Sequence, residues 1–102
     1  MHTKNLFEIS FDPVKNERNI ADRDLSFAQA ANFDFSSALF WFDTRKRYPE
    51  QRIAALGLLE GRVHSLVFVE TDTGIRVISF RKANPREVKR YEQETASWTD
   101  GR

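Results

Sequence analysis

The chain has 102 residues, with 16 Lys plus Arg against 15 Asp plus Glu, no cysteine and 40% hydrophobic residues. Folding at this length hides roughly 65% of the surface of an unfolded chain, enough for one core and too little for two, so residues 1–102 are expected to form a single domain. Without cysteine there is no disulfide framework, thiolate metal site or cysteine nucleophile, and two histidines at positions 2 and 64 are too few for a usual histidine metal site, so neither metal nor cofactor is expected. No signal-like apolar run opens the chain and no stretch approaches a membrane span, which predicts a cytoplasmic protein that stays off the membrane.

In chain order, residues 6–11 (LFEISF) alternate enough for a short strand, and Asp12-Pro13 supplies a helix cap followed by proline at the first helical position. A short helix runs to about Ala21. Ser26 and Gln29 have the spacing of a reciprocal capping box, which predicts a second short helix over FAQAANF. From there FSSALFWFD, QRIAALGLLEG, RVHSLVFVE and IRVISFRKA read as four successive strands, an antiparallel meander. Glycines at 61 and 74 are placed where tight hairpins need positive φ. The tract DTRKRYPE, residues 43–50, is a polar loop with three basic residues at its tip. Asn84-Pro85-Arg86-Glu87 combines cap, proline and capping-box glutamate, and Val88, Tyr91, Thr95 and Trp98 follow at helical spacing, so a C-terminal helix should lay that stripe on the sheet. The expected class is a small α+β domain: an antiparallel meander with two short N-terminal helices and one C-terminal helix.

Charge is unevenly spread. Arg76, Arg81, Lys82, Arg86, Lys89 and Arg90 face only Glu87 within residues 76–91, a local balance of +5, so the rest of the chain sums to −4. A concentrated positive surface suits a polyanion or an acidic partner, and a solvated helix face with ordinary salt bridges is the plainer reading. Strand alternation puts Arg76, Ile78, Phe80 and Lys82 on one face and Val77, Ser79 and Arg81 on the other, where a concave polar site can form. Arg86 and Arg90 are a like-charge pair one helical turn apart, answered either by Glu87 and Glu94 or by a phosphate. Asp12 reads as a helix cap rather than a catalytic carboxylate, Lys15 as a solvated lysine, and His64, within a strand, as a hydrogen-bonded structural histidine rather than an acid or base. Phe40, Trp41 and Phe42 occupy both faces of their strand, so at least one marks a partner surface or a face covered by a helix. There is no Gly-rich phosphate loop, no H-E-x-x-H and no plausible Ser-His-Asp set.

Over roughly residues 7–92 the chain resembles the BrnT toxins of bacterial type II toxin-antitoxin modules. An F-x-W/F-D-P/E-x-K entry is matched by Phe11-Asp12-Pro13-Val14-Lys15 and followed by Asn19, and S-F-E-E-A is similar to Ser26-Phe27-Ala28-Gln29-Ala30. E-x-R-x-x-x-x-G is similar to Glu50-Gln51-Arg52 through Gly57, and G-R-x-x-x-V-V-F-T-E to Gly61 through Glu70. The most specific block, R-I-I-S-A-R-R-A-x-x-x-E-x-x-x-Y, is matched by Arg76 through Ala83, then Glu87 and Tyr91. Two positions depart from the pattern: Asp22-Arg23-Asp24 stands for K-H-G, and Phe80 for the usual alanine.

The resemblance implies a RelE-like fold and a metal-independent endoribonuclease that arrests growth. Its partners would be RNA and a BrnA-like ribbon-helix-helix antitoxin, with operator DNA reached only through that antitoxin. Metal-independent cleavage needs the 2′-hydroxyl activated, the leaving oxygen protonated and the phosphorane stabilised by fixed cations. Arg81 and Arg76 suit the last task, with Lys82, Arg86 and Arg90 binding phosphate. Glu87, Lys15, His64 and Tyr91 remain open as acid and base. Arg62, near the Gly61 turn, falls outside this set. The antitoxin would cover the basic 76–91 surface and neighbouring aromatic residues in a salt-sensitive complex. The other class of function is a non-catalytic toxin-like protein, active in antitoxin docking and operon co-repression.

Overall fold

The computed structural model describes residues 7–96 and Trp98. His2, and Leu6 of the expected first strand, lie outside them. Strand β1 (Glu8–Ser10) leads into helix α1 (Pro13–Arg23), two 3₁₀ turns (Phe27–Asn32 and Phe35–Ser37), strands β2 (Leu39–Phe42), β3 (Ile53–Leu59), β4 (Arg62–Glu70) and β5 (Gly74–Lys82), and helix α2 (Pro85–Ala96). The sheet order is β1-β5-β4-β3-β2. Strands β2 to β5 form the expected meander, but β1 pairs parallel to β5 and makes the sheet mixed.

Both expected caps form. Asp12 accepts from the Val14 amide at 2.9 Å, and Asn84 and Glu87 exchange reciprocal bonds at 2.8 and 2.9 Å. The Ser26 box does not. Ser26 Oγ accepts from Ala28, and the Gln29 amide donates to the Ser26 carbonyl, so the expected short helix forms as a 3₁₀ helix. Helix α1 docks through amides rather than an apolar stripe, since Val14 and Ile20 are exposed. Asn16 Oδ1 accepts from the Phe27 amide at 2.7 Å, and Asn19 Nδ2 donates to the Leu25 and Phe80 carbonyls, both at 2.9 Å.

One sheet face carries the main core, where Phe27, Ala30 and Phe33 of the 3₁₀ segment pack on Ala55, Leu66, Phe68, Val77 and Phe80. On the other, Tyr91 and Val88 of α2 pack on Leu56, Leu58 and Val63. Trp98 lies beyond α2 and is exposed, so the apolar stripe ends before it. Simple alternation also fails in β5. Ser79 opposes Val67 while Val77 opposes Phe68, which leaves Ile78 as a bulge. Val77 and Phe80 therefore share the core face, and Arg76 and Arg81 share the other. The phenyl ring at position 80 is fully buried, so the larger side chain enlarges the core. Gly61 has φ of 77°, as a tight turn requires, whereas Gly74 has no positive φ: a Cβ there would lie 2.0 Å from the Glu8 carbonyl oxygen, so it is the close approach of β1 that demands glycine.

Candidate functional site

A polar cleft of about 670 Å³ opens at the end of the sheet where β3 turns into β4 and β5 finishes. Arg23 and Asp24 enter from the end of α1, Glu60 and Arg62 from the β3–β4 turn, His64 from β4, and Arg81 and Lys82 from β5. Sheet register accounts for the convergence: His64 lies opposite Lys82, and Ser65 opposite Arg81. Two of the guanidinium groups are held by the fold. Arg23 Nη1 donates to Asn19 Oδ1 at 2.8 Å, so the amide that caps the Phe80 carbonyl also positions this side chain. Arg81 makes two parallel bonds to Glu87, Nη1–Oε1 at 2.9 Å and Nη2–Oε2 at 3.0 Å. Its Nε and the second Nη2 hydrogen have no protein acceptor among the described residues. The hydrogen bond that Arg81 donates to Glu87 raises the pKa of Arg81, against burial, and the same bond holds Glu87 below the ordinary glutamate value.

His64 is buried, and its Nδ1 lies 2.8 Å from the Arg62 carbonyl oxygen. A carbonyl only accepts, which assigns a proton to Nδ1 and makes Nε2 the lone-pair nitrogen of the neutral tautomer. Nε2 makes no hydrogen bond within the described residues. Among them the sole buried side-chain nitrogen or oxygen without a partner is Arg52 Nε, so His64 Nε2 reaches solvent, and the residue lines the cleft.

A second hollow of about 140 Å³ continues from Arg23 along α1, lined by Lys15, Arg18, Asp22 and the Ile78–Ser79 bulge. Lys15 thus lies on the same edge of the molecule as the cleft, outside its wall. The remaining residues expected to join the site lie outside the cleft wall. Arg76 pairs with Glu50 at 2.8 Å, five positions along β5 from Arg81. Tyr91 is buried and its hydroxyl donates to the Ser37 carbonyl at 3.1 Å. Arg90 stacks on Trp41 and pairs with Glu94, and Arg86 is exposed on α2. Conversely, Arg62 lies inside the cleft, and Arg23 joins it from a segment with no local charge excess. The signal for Arg62 was the hairpin: with Gly61 at the turn, register carries Arg62 and His64 to the end of β5. Among the described residues no three His, Cys, Asp or Glu side chains gather as a metal-binding group, and no helix is long and apolar enough to cross a membrane.

The fold and cleft define a small α+β protein whose polar face gathers four cations, two carboxylates and one histidine, a net positive lining suited to a polyanion. Residues 11–87 match the family model described as the ribonuclease toxin BrnT of type II toxin-antitoxin systems, and the chain belongs to that family. Membership makes it a ribonuclease toxin and implies an antitoxin as its partner. No curated protein matches the chain by sequence.

Proposed function

We propose that the cleft is the ribonuclease site and that it cuts RNA without a metal ion. His64 Nε2 takes the proton from a ribose 2′-hydroxyl. The freed oxygen attacks the adjacent phosphorus, and the bond from phosphorus to the 5′-oxygen breaks as that oxygen takes up a proton from solvent, to which His64 later returns its own, leaving a 2′,3′-cyclic phosphate and a 5′-hydroxyl. Arg81, Arg62, Arg23 and Lys82 stabilise the charge gathering on the non-bridging oxygens. The carrying observation is the buried histidine whose Nδ1 is tied to a backbone carbonyl while the ring lines a cleft shared with three arginines. Glu87 acts as a positioning residue for Arg81, because a carboxylate engaged by two guanidinium bonds and the Asn84 amide is a weak base. Tyr91, tied to Ser37, contributes packing, and Arg76, Arg86 and Arg90 bind outside the reacting centre. Lys15 and Arg18 extend the cationic track along α1, in line for the phosphates of a single strand leaving the cleft. Expression alone would arrest growth, and the neutralising antitoxin would be a BrnA-like ribbon-helix-helix protein.

The test is cleavage of an end-labelled RNA by the purified chain in excess chelator. His64→Ala and Arg81→Ala should each lower the rate by about a hundredfold or more, and Arg62→Ala by a smaller factor, with folded circular-dichroism spectra throughout. Full cleavage by folded His64→Ala would remove histidine from the mechanism. Chelator-sensitive cleavage would overturn metal independence, and a chain that binds RNA without cutting it would favour the non-catalytic docking role.

A further inference from the structure

The core face of the sheet is open at the end opposite the cleft. There Phe7, Phe35, Phe40, Phe42, Ile53 and Phe68 line an apolar groove of about 610 Å³. Phe7, Phe40 and Phe42 leave 55%, 47% and 58% of their surface exposed around it. Scattered surface phenylalanines need no explanation, whereas three around one groove mark a contact surface. Glu70 also lines the groove, and its carboxylate makes no hydrogen bond or ion pair among the described residues.

We propose that this groove is where the antitoxin docks, through a segment with a stripe of apolar side chains ended by a lysine or arginine that meets Glu70. The proposal rests on family membership for the existence of an antitoxin and is independent of the chemistry assigned to the cleft. Charge selects this occupant. A second copy packed groove to groove would bring another Glu70 into the same apolar contact, two like charges with no gain, whereas a basic-ended apolar segment satisfies both the phenylalanines and the carboxylate. The groove and the cleft lie at opposite ends of β4, from Phe68 to His64, so the anchor leaves the cations uncovered. An apolar anchor also gives an affinity that salt changes little, unlike a partner held by the basic 76–91 surface.

The experiment is calorimetric titration of the chain with the purified product of the adjoining reading frame, at about 0.1 M and about 0.5 M salt. Phe42→Asp should weaken binding at least ~10-fold and Glu70→Lys several-fold, while the wild-type affinity stays within about threefold across the salt range. Both side chains are exposed, so unfolding midpoints should hold. RNA cleavage by the variants alone should be unchanged. Undiminished affinity in Phe42→Asp, no binding to the wild-type chain, or loss of binding in Arg86→Ala and Arg90→Ala alone would overturn the proposal. So would a wild-type dimer that Phe42→Asp dissociates, or a deletion of residues 1–6 that first opens the groove to a hydrophobic dye, since these give the groove to a second copy or to the chain's own start. Binding is read without cleavage, so a chain inert toward RNA defeats the proposed mechanism and leaves this measurement decisive.

Discussion

Glu87 stands one turn into α2, where its carboxylate does two jobs: it accepts the Asn84 amide and forms the paired bonds to Arg81. Its pKa lies below the ordinary glutamate value, chiefly through the Arg81 hydrogen bond, so the carboxylate contributes stability that is complete above the unfolded value of about 4.3 and disappears as pH falls through the lowered folded value. Glu87→Gln keeps the amide acceptor and loses the charge. The variant should be less stable at about pH 7 by about 1 kcal/mol, the low end for a charge-assisted pair because 34% of the Arg81 side chain faces solvent. The gap should close as pH falls through that lowered folded value, where the Glu87 carboxyl becomes neutral like the glutamine, as denaturant midpoints along a descending pH series would show. A gap independent of pH would mean that packing, rather than the ion pair, carries the effect.

Two glycines separate the ways in which an element can require the absence of a side chain. At Gly61 the demand is conformational, with φ of 77° and nothing within 4 Å of the place a methyl group would occupy. Gly61→Ala should cost about 1 kcal/mol through the backbone alone. At Gly74 the demand is steric, because β1 runs parallel to β5 and brings the backbone of Glu8 into the space a Cβ would fill. Gly74→Ala must push β1 off the edge of β5, at about 1–3 kcal/mol, and amide exchange should show early loss of protection in residues 8–10. Unaltered protection there would show that the edge absorbs the methyl group without unpairing.

Across the whole molecule, Phe80 connects the core to the polar cleft. Its ring is fully buried, meets Phe33 edge-on at 6.1 Å and lies 5.6 Å from the His64 ring, while its carbonyl holds Asn19 and, through Asn19, Arg23. Phe80→Ala should cost about 3–5 kcal/mol, much of the roughly 5–15 kcal/mol available to a domain of this size. Chemical denaturation measures the loss directly. A loss below about 1.5 kcal/mol would mean that the 3₁₀ segment collapses into the vacated space.

What the sequence by itself determined was local or periodic. The caps at Asp12 and Asn84, the turn at Gly61, the four-strand meander and the density of positive charge in residues 76–91 are set by neighbours within a few positions. The family blocks add the ribonuclease class because they are contiguous in sequence. Tertiary structure decided what depends on partners distant in the chain. The parallel seat of β1, the bulge that turns Arg76 and Arg81 to one face, and the entry of Arg23 and Arg62 into the cleft all follow from how distant segments pair and pack. Register is a sum of many cross-strand contacts, and no residue encodes it alone. The same holds for His64, whose alternation with Val63 and Ser65 reads equally well as structural or chemical. Only the tertiary structure shows the Arg62 carbonyl at Nδ1 and the cleft that the residue lines, and the role proposed for His64 rests on those two contacts.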